Sequence, residues 1–237
     1  AYEIRFCDWS SDVCSSDHEL SEPSRTTATV GLDMKMPVLK SLNLDITINP
    51  DFSQAEVDKQ IINLDRFDVS FPEQRQFFIE NSDFFTYFGF SRIRPFFSRK
   101  IGLYNNRIIP ILAGARLSGN INRHWRTGLM LVQTKKTDML ASQNYAVAAL
   151  QRFVSNHSVF GLIAVNRQGR DYDKIKGNNY NRVVGLEYNL RTANGKWNAE
   201  AFVDYNFSAV NKKGSFAGAI FGRREAKKIS VETNLRF

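Results

Sequence analysis

Asn49 to Arg107 reads NPDFSQAEVDKQIINLDRFDVSFPEQRQFFIENSDFFTYFGFSRIRPFFSRKIGLYNNR, a stretch dense in Phe, carboxylates and Arg. Asp51, Glu56, Asp58, Arg66, Glu73, Arg75, Glu80 and Arg99 are its candidate binding residues. Carboxylates accept hydrogen bonds from sugar hydroxyls or ligate calcium, and aromatic rings stack on sugar faces. The plainer expectation is a salt-bridged plug in which Phe77, Phe78, Phe84 and Phe85 pack together and the charges pair with wall residues such as Arg116 and Glu187. No catalytic set stands out. Glycoside hydrolysis needs two carboxylates at a controlled separation, which the sequence does not rank. His124 and His157 fall in short turns, where a solvated role is expected, and no glycine-rich nucleotide loop is present. A non-enzymatic chain without cofactor or metal is therefore the expectation.

Cys7 and Cys14, the two cysteines of the chain, lie in AYEIRFCDWSSDVCSSD at the N-terminus, with no further ligands at zinc-like spacing. Its apolar residues are scattered among Asp and Ser, so it is no secretory signal. Back-translated, residues 1–17 resemble a sequencing-library adapter: Ala1-Tyr2-Glu3 and Asp8 to Asp17 fall on its fixed bases, Ile4 to Cys7 span its index, and His18 departs from it. The expectation is a non-native segment that packs against nothing, followed by one domain over 18–237. Setting aside Glu3, Asp8, Asp12, Asp17 and Arg5 raises the net charge from +8 to +11 and leaves no cysteine.

The elements that must position the Phe-rich stretch follow from hydropathy. ILAGARLSGN (111–120) alternates with Ile111, Ala113, Ala115 and Leu117 on one face and Gly114, Arg116, Ser118 and Asn120 on the other. The same period of two predicts strands over 27–36, 42–48, 125–134, 144–153, 158–166, 180–191, 196–207, 215–222 and 228–237. Most are near the roughly 9–11 residues that cross a bilayer when tilted. From residue 111 onward the connections alternate: INRH, VSNH, TANG and RREA are short, whereas KKTDMLASQ and RQGRDYDKIKGN are long and SAVNKK intermediate. Short turns at one end and long loops at the other are the pattern of an outer-membrane barrel.

Trp197, Tyr205 and Phe207 bracket Ala199, Ala201 and Val203 on one face, as aromatic girdles bracket a lipid-facing band. Lys196, Asn198, Glu200, Asp204 and Asn206, interrupted by Phe202, suit a hydrated lumen. Arg182 shares the outer face of Val184 and Leu186, where its side chain would reach toward headgroups. The charges of 49–107 cannot face lipid, where Arg or Lys costs about 2–4 kcal/mol at mid-depth, so they belong in the lumen or in water. The fold expectation is an all-β, antiparallel, up-and-down outer-membrane β-barrel, incomplete, with an irregular Phe-rich inner segment over 49–107. A half-buried sheet alternates equally well, so the competing reading is a soluble all-β carbohydrate-active enzyme of glycoside hydrolase type, or a sugar-binding module. Lys135-Lys136, Lys212-Lys213, Arg223-Arg224 and Lys227-Lys228 lie at both ends of the strands, which fits lipid headgroups and not nucleic acid.

The runs LDITINPDFSQAEVD, RFDVSFPEQRQFFIEN and FFSRKIG, with PILAGARLSG and GLMLVQT, resemble domain-of-unknown-function family 5916, an uncharacterised barrel domain of Gram-negative bacteria. The resemblance covers about residues 28–237. It implies the bacterial outer membrane, lipid as a partner, and carbohydrate as a partner through an N-terminal domain similar to family-9 carbohydrate-binding modules. It supplies no catalytic residues. That N-terminal domain is absent here and the family's barrel region is longer, so a fragment cut at both ends is expected.

Overall fold

The computed structural model describes residues 3–7, 30–50, 72–89, 93–104, 107–137, 140–155, 157–170, 179–226 and 229–236. The strands are β1 (Glu3–Cys7), β2 (Gly31–Leu39), β3 (Leu42–Ile48), β4 (Leu103–Tyr104), β5 (Arg107–Ile108), β6 (Ile111–Asn120), β7 (Trp125–Thr134), β8 (Ser142–Ser155), β9 (Ser158–Arg170), β10 (Tyr180–Arg191), β11 (Trp197–Ser208), β12 (Ser215–Ala226) and β13 (Ile229–Arg236). Between β3 and β4 lie two one-turn helices, α1 (Gln76–Ile79) and α2 (Asp83–Thr86), and a 3₁₀ turn, Ser98–Lys100.

Eleven strands form one antiparallel sheet in the order β1-β2-β3-β6-β7-β8-β9-β10-β11-β12-β13, and β4 pairs with β5 apart from it. The sheet is open, with β1 and β13 at its edges. Each long strand pairs with its neighbour in sequence except across the β3–β6 junction, where the segment expected to form a plug, hereafter the plug, is inserted. Every strand expected from the period of two is present. β8 and β9 run longer than their apolar patterns because polar residues continue the ladder: Ser142 pairs with Arg170 and Gln143 with Gly169. No helix among the described residues is long and apolar enough to cross a membrane, which leaves open a crossing by strands.

Three expectations are corrected. RREA, expected as a short turn, continues β12, with Arg223 opposite Glu232 and Ala226 opposite Ile229. The ladder between β6 and β7 shifts register between Ile111 and Ala113, and this irregularity turns Ile111 to the inner face, where it is buried, while Leu112 is exposed. Ile111 therefore does not share a face with Ala113, Ala115 and Leu117. At the N-terminus, Glu3–Cys7 do pair with Gly31–Lys35, where no packing was expected. An edge strand presents free N–H and C=O groups to any extended segment, so this pairing requires no particular side chain. Cys14 and the rest of the adapter-like stretch lie outside the described residues.

The faces of the sheet differ. Leu129, Leu131, Phe160, Leu162, Val184, Leu186 and Val203 are exposed on the outer one. On the inner one, Met130, Val132, Val147, Ala149 and Ile163 are buried against Phe78, Phe84, Phe85, Phe88, Phe96, Ile101 and Ile111 in one cluster. The polar face of 196–207 was expected to suit a hydrated lumen; across β7–β9 the inner face is instead a dry core. Both parities of LMLV, VAAL and LIAV are apolar, which is the sequence mark of a strand buried on one face and apolar on the other.

Candidate functional site

The described part of the plug, residues 72–89 and 93–104, is held to the wall by sockets and by charge. Three inner-face glycines lie beneath three phenylalanines. A Cβ on Gly114 would lie 3.1 Å from Phe77 Cζ, one on Gly128 2.8 Å from Phe85 Cζ, and one on Gly161 2.7 Å from Phe88 Cε1. A Cβ at Gly128 or Gly161 would collide with the ring above it, and one at Gly114 would press on the Phe77 ring. The sockets lie on three strands, β6, β7 and β9, so the plug is located in two dimensions on the sheet.

Arg116 supplies the charged clamp. Its side chain is 1% exposed, and Nε donates to Asp45 Oδ2 at 3.0 Å. Asp45 is its cross-strand partner on β3. The guanidinium also donates to the carbonyl oxygens of Phe77 and Glu80, groups that a one-turn helix leaves without helical partners. The Glu80 carboxylate lies 3.7 Å from Arg116, accepts from Gln76 Nε2 at 3.0 Å and is paired with Lys35. Lys35, Asp45 and Arg116 therefore form a row of alternating charge across β2, β3 and β6, completed above by Glu80. A second pair, Arg126 with Asp83, closes the other side, with the guanidinium 4.2 Å from the Phe84 ring centroid.

Within the plug, Arg75 is the staple. It pairs with Glu73 at 2.8 Å, donates to the carbonyl oxygens of Ser98 at 2.9 Å and Ile101 at 2.5 Å, and lies 4.2 Å from the Phe78 ring centroid. Ser98 Oγ donates to Glu73 at 2.7 Å. Burial pushes the Glu73 carboxyl up, but the hydrogen bonds and charge of Arg75, together with Ser98, hold it below its ordinary value of 4.5. Burial likewise opposes Glu80, which Lys35, Gln76 and Arg116 draw down.

Of the candidate binding residues, Glu73 and Arg75 are thus joined to each other, Glu80 contacts the wall, and Arg99 is buried beside them in the 3₁₀ turn. Asp51, Glu56, Asp58 and Arg66 lie outside the described residues. Glu73, Arg75 and Glu80 are engaged in contacts within the segment and with the sheet. Glu187 accepts the Gly89 N–H at 2.8 Å, so among the described residues it holds plug backbone and not a plug side chain. His124 and His157 are exposed in their turns. The glycine sockets went unrecognised in the sequence, although glycine at inner-face parity on β6, β7 and β9 is a readable signal.

On the outer face, two aromatic rows flank small and aliphatic residues. Trp125, Phe160, Tyr188 and Trp197 lie toward the short turns, and Tyr180, Tyr205, Phe207 and Phe216 toward the long loops. Arginines stack on both rows: Arg152 lies 5.4 Å from Trp125 and Arg224 5.1 Å from Trp197, while Arg182 lies 5.0 Å from Tyr180. Arg182 Nε also donates to Asn166 Oδ1 at 3.0 Å, which gives one donor of this outer-face guanidinium an acceptor.

Residues 4–111 match the model of a family described as a domain of unknown function (DUF5916). The match spans β2, β3 and the plug and ends at the start of β6, and it begins within the adapter-like stretch. No curated protein and no solved structure matches the chain.

Proposed function

We propose that this chain, which carries a DUF5916 domain over residues 4–111, is wall and plug of an outer-membrane β-barrel. The observation that carries the reading is the outer face: an exposed apolar band between two aromatic rows with stacked arginines. From Trp197 to Tyr205 the strand runs about 26 Å at about 3.3 Å per residue, which a tilt of about 35–45° turns into a rise of about 19–22 Å, within the roughly 25 Å apolar band of such barrels. A soluble monomer rarely exposes an apolar patch of more than a few hundred Å², and here the band continues across β7–β12. The short turns and long loops at opposite ends support the same reading, with the short turns on the periplasmic side. Its role in a carbohydrate-associated surface or uptake protein of Gram-negative bacteria belongs to the same proposal and rests on the sequence resemblance. The plug makes a structural or gating role fit better than catalysis, because Glu73 and Arg75 are bound to each other and Glu80 and Asp83 to the wall.

Refolding tests the setting. The chain is expected to fold in detergent micelles, with faster migration of the unheated sample on a denaturing gel. A folded, soluble monomer in plain buffer would sink the membrane reading and favour the soluble all-β alternative.

A further inference from the structure

The inner face of β10 and β11 carries three carboxylates that no basic side chain pairs with among the described residues. Glu187 lies opposite Phe202, and Glu200 and Asp204 occupy the diagonal positions on either side of it. The charges of both act on Glu187, which also accepts from Gly89 N and from Asn189 Nδ2. Asp204 is only 7% exposed, and its Oδ2 has no hydrogen-bond partner. Its cross-strand partner is Gly185, and Oδ1 occupies the space that a Cβ there would need. Oδ2 is the oxygen left over. A buried carboxylate oxygen without a donor is unfavourable unless a ligand supplies one.

We propose that Glu187, Glu200 and Asp204 bind the ammonium or guanidinium group of a small organic cation. Three carboxyl groups gathered on one face call for positive charge. Among the described residues no three acidic, His or Cys side chains are placed to hold a metal ion, whereas an alkylammonium or guanidinium spreads several N–H donors over a wider frame. Phe202 stands between the acids in register, and a ring face attracts a cation. The way in is from the short-turn end: Asp204 is buried, Glu200 partly buried and Asn198 exposed. The site stands on the inner face of the sheet and does not require the membrane setting.

The test is calorimetric titration of the full chain, in micelles or plain buffer according to where it folds, with agmatine against neutral N-butylurea. Agmatine should bind at least about tenfold tighter than the neutral analogue, and Asp204→Asn and Glu200→Gln should each weaken it by about tenfold or more. Glu200 is only partly buried, so Glu200→Gln keeps the test valid where Asp204→Asn does not fold. Absence of agmatine binding, equal binding of N-butylurea, or affinity unchanged in the variants overturns the proposal. Calcium binding tighter than agmatine and lost in the same variants overturns the choice of an organic cation.

Discussion

Arg116 and Glu73 set the stability of the plug at the level of single residues. Replacing Arg116 by Met removes the one partner that the buried Asp45 has among the described residues and frees the carbonyl oxygens of Phe77 and Glu80. Breaking one side of a buried pair costs about 3–5 kcal/mol, so Arg116→Met should lower the urea midpoint and expose 72–89 to protease while the sheet signal persists. Unchanged protection of that segment would show that the clamp is not what holds it. Glu73 makes a pH prediction. Its carboxyl is held below the ordinary 4.5, so the folded state binds fewer protons there than the unfolded one. The stabilisation is complete above about 4.5 and is lost as pH falls through the folded value. Urea midpoints measured from pH 6 downward should fall in that acid window, and Glu73→Gln should flatten the fall. A Glu73→Gln curve parallel to the original would refute the assignment.

At the level of elements, the plug and the wall fit by shape. Gly128 and Gly161 underlie Phe85 and Phe88 with no room for a Cβ, and forcing atoms into a packed site costs about 1–3 kcal/mol. Gly161→Val should therefore reduce the melting temperature, and Phe88→Ala in the same chain should recover part of the loss of packing strain. Additive losses in the double variant would mean that ring and socket do not meet. The strands were legible because alternation has a period of two whatever the partner, and every one of the ten appeared. α1, α2 and the 3₁₀ turn were not, since single turns carry no periodic signal and are held by Arg75 and Arg116 through contacts distant in sequence. The binding candidates Glu73, Arg75 and Glu80 were visible by type, but their employment as staples was not.

For the whole molecule, the two faces of the sheet make opposite demands. Leu131 is 56% exposed on the outer face, midway along β7. A Leu131→Lys variant should lose about 2–4 kcal/mol of folding free energy in a bilayer, measured by denaturant titration in vesicles. An effect within about 0.5 kcal/mol, the usual range for a surface substitution, would argue that no lipid covers this face. The sequence by itself determined the strands, their up-and-down order and the sorting of apolar and polar residues to opposite faces, because these depend on local periodicity and on the lengths of connections. Only the tertiary structure decided that Ile111 turns inward, that the inner face of β7–β9 is dry, that Gly114, Gly128 and Gly161 receive phenylalanines, and that Asp204 is left with an oxygen unpaired. Each of these is set by which residues from remote parts of the chain arrive at the same place, and no local pattern encodes that.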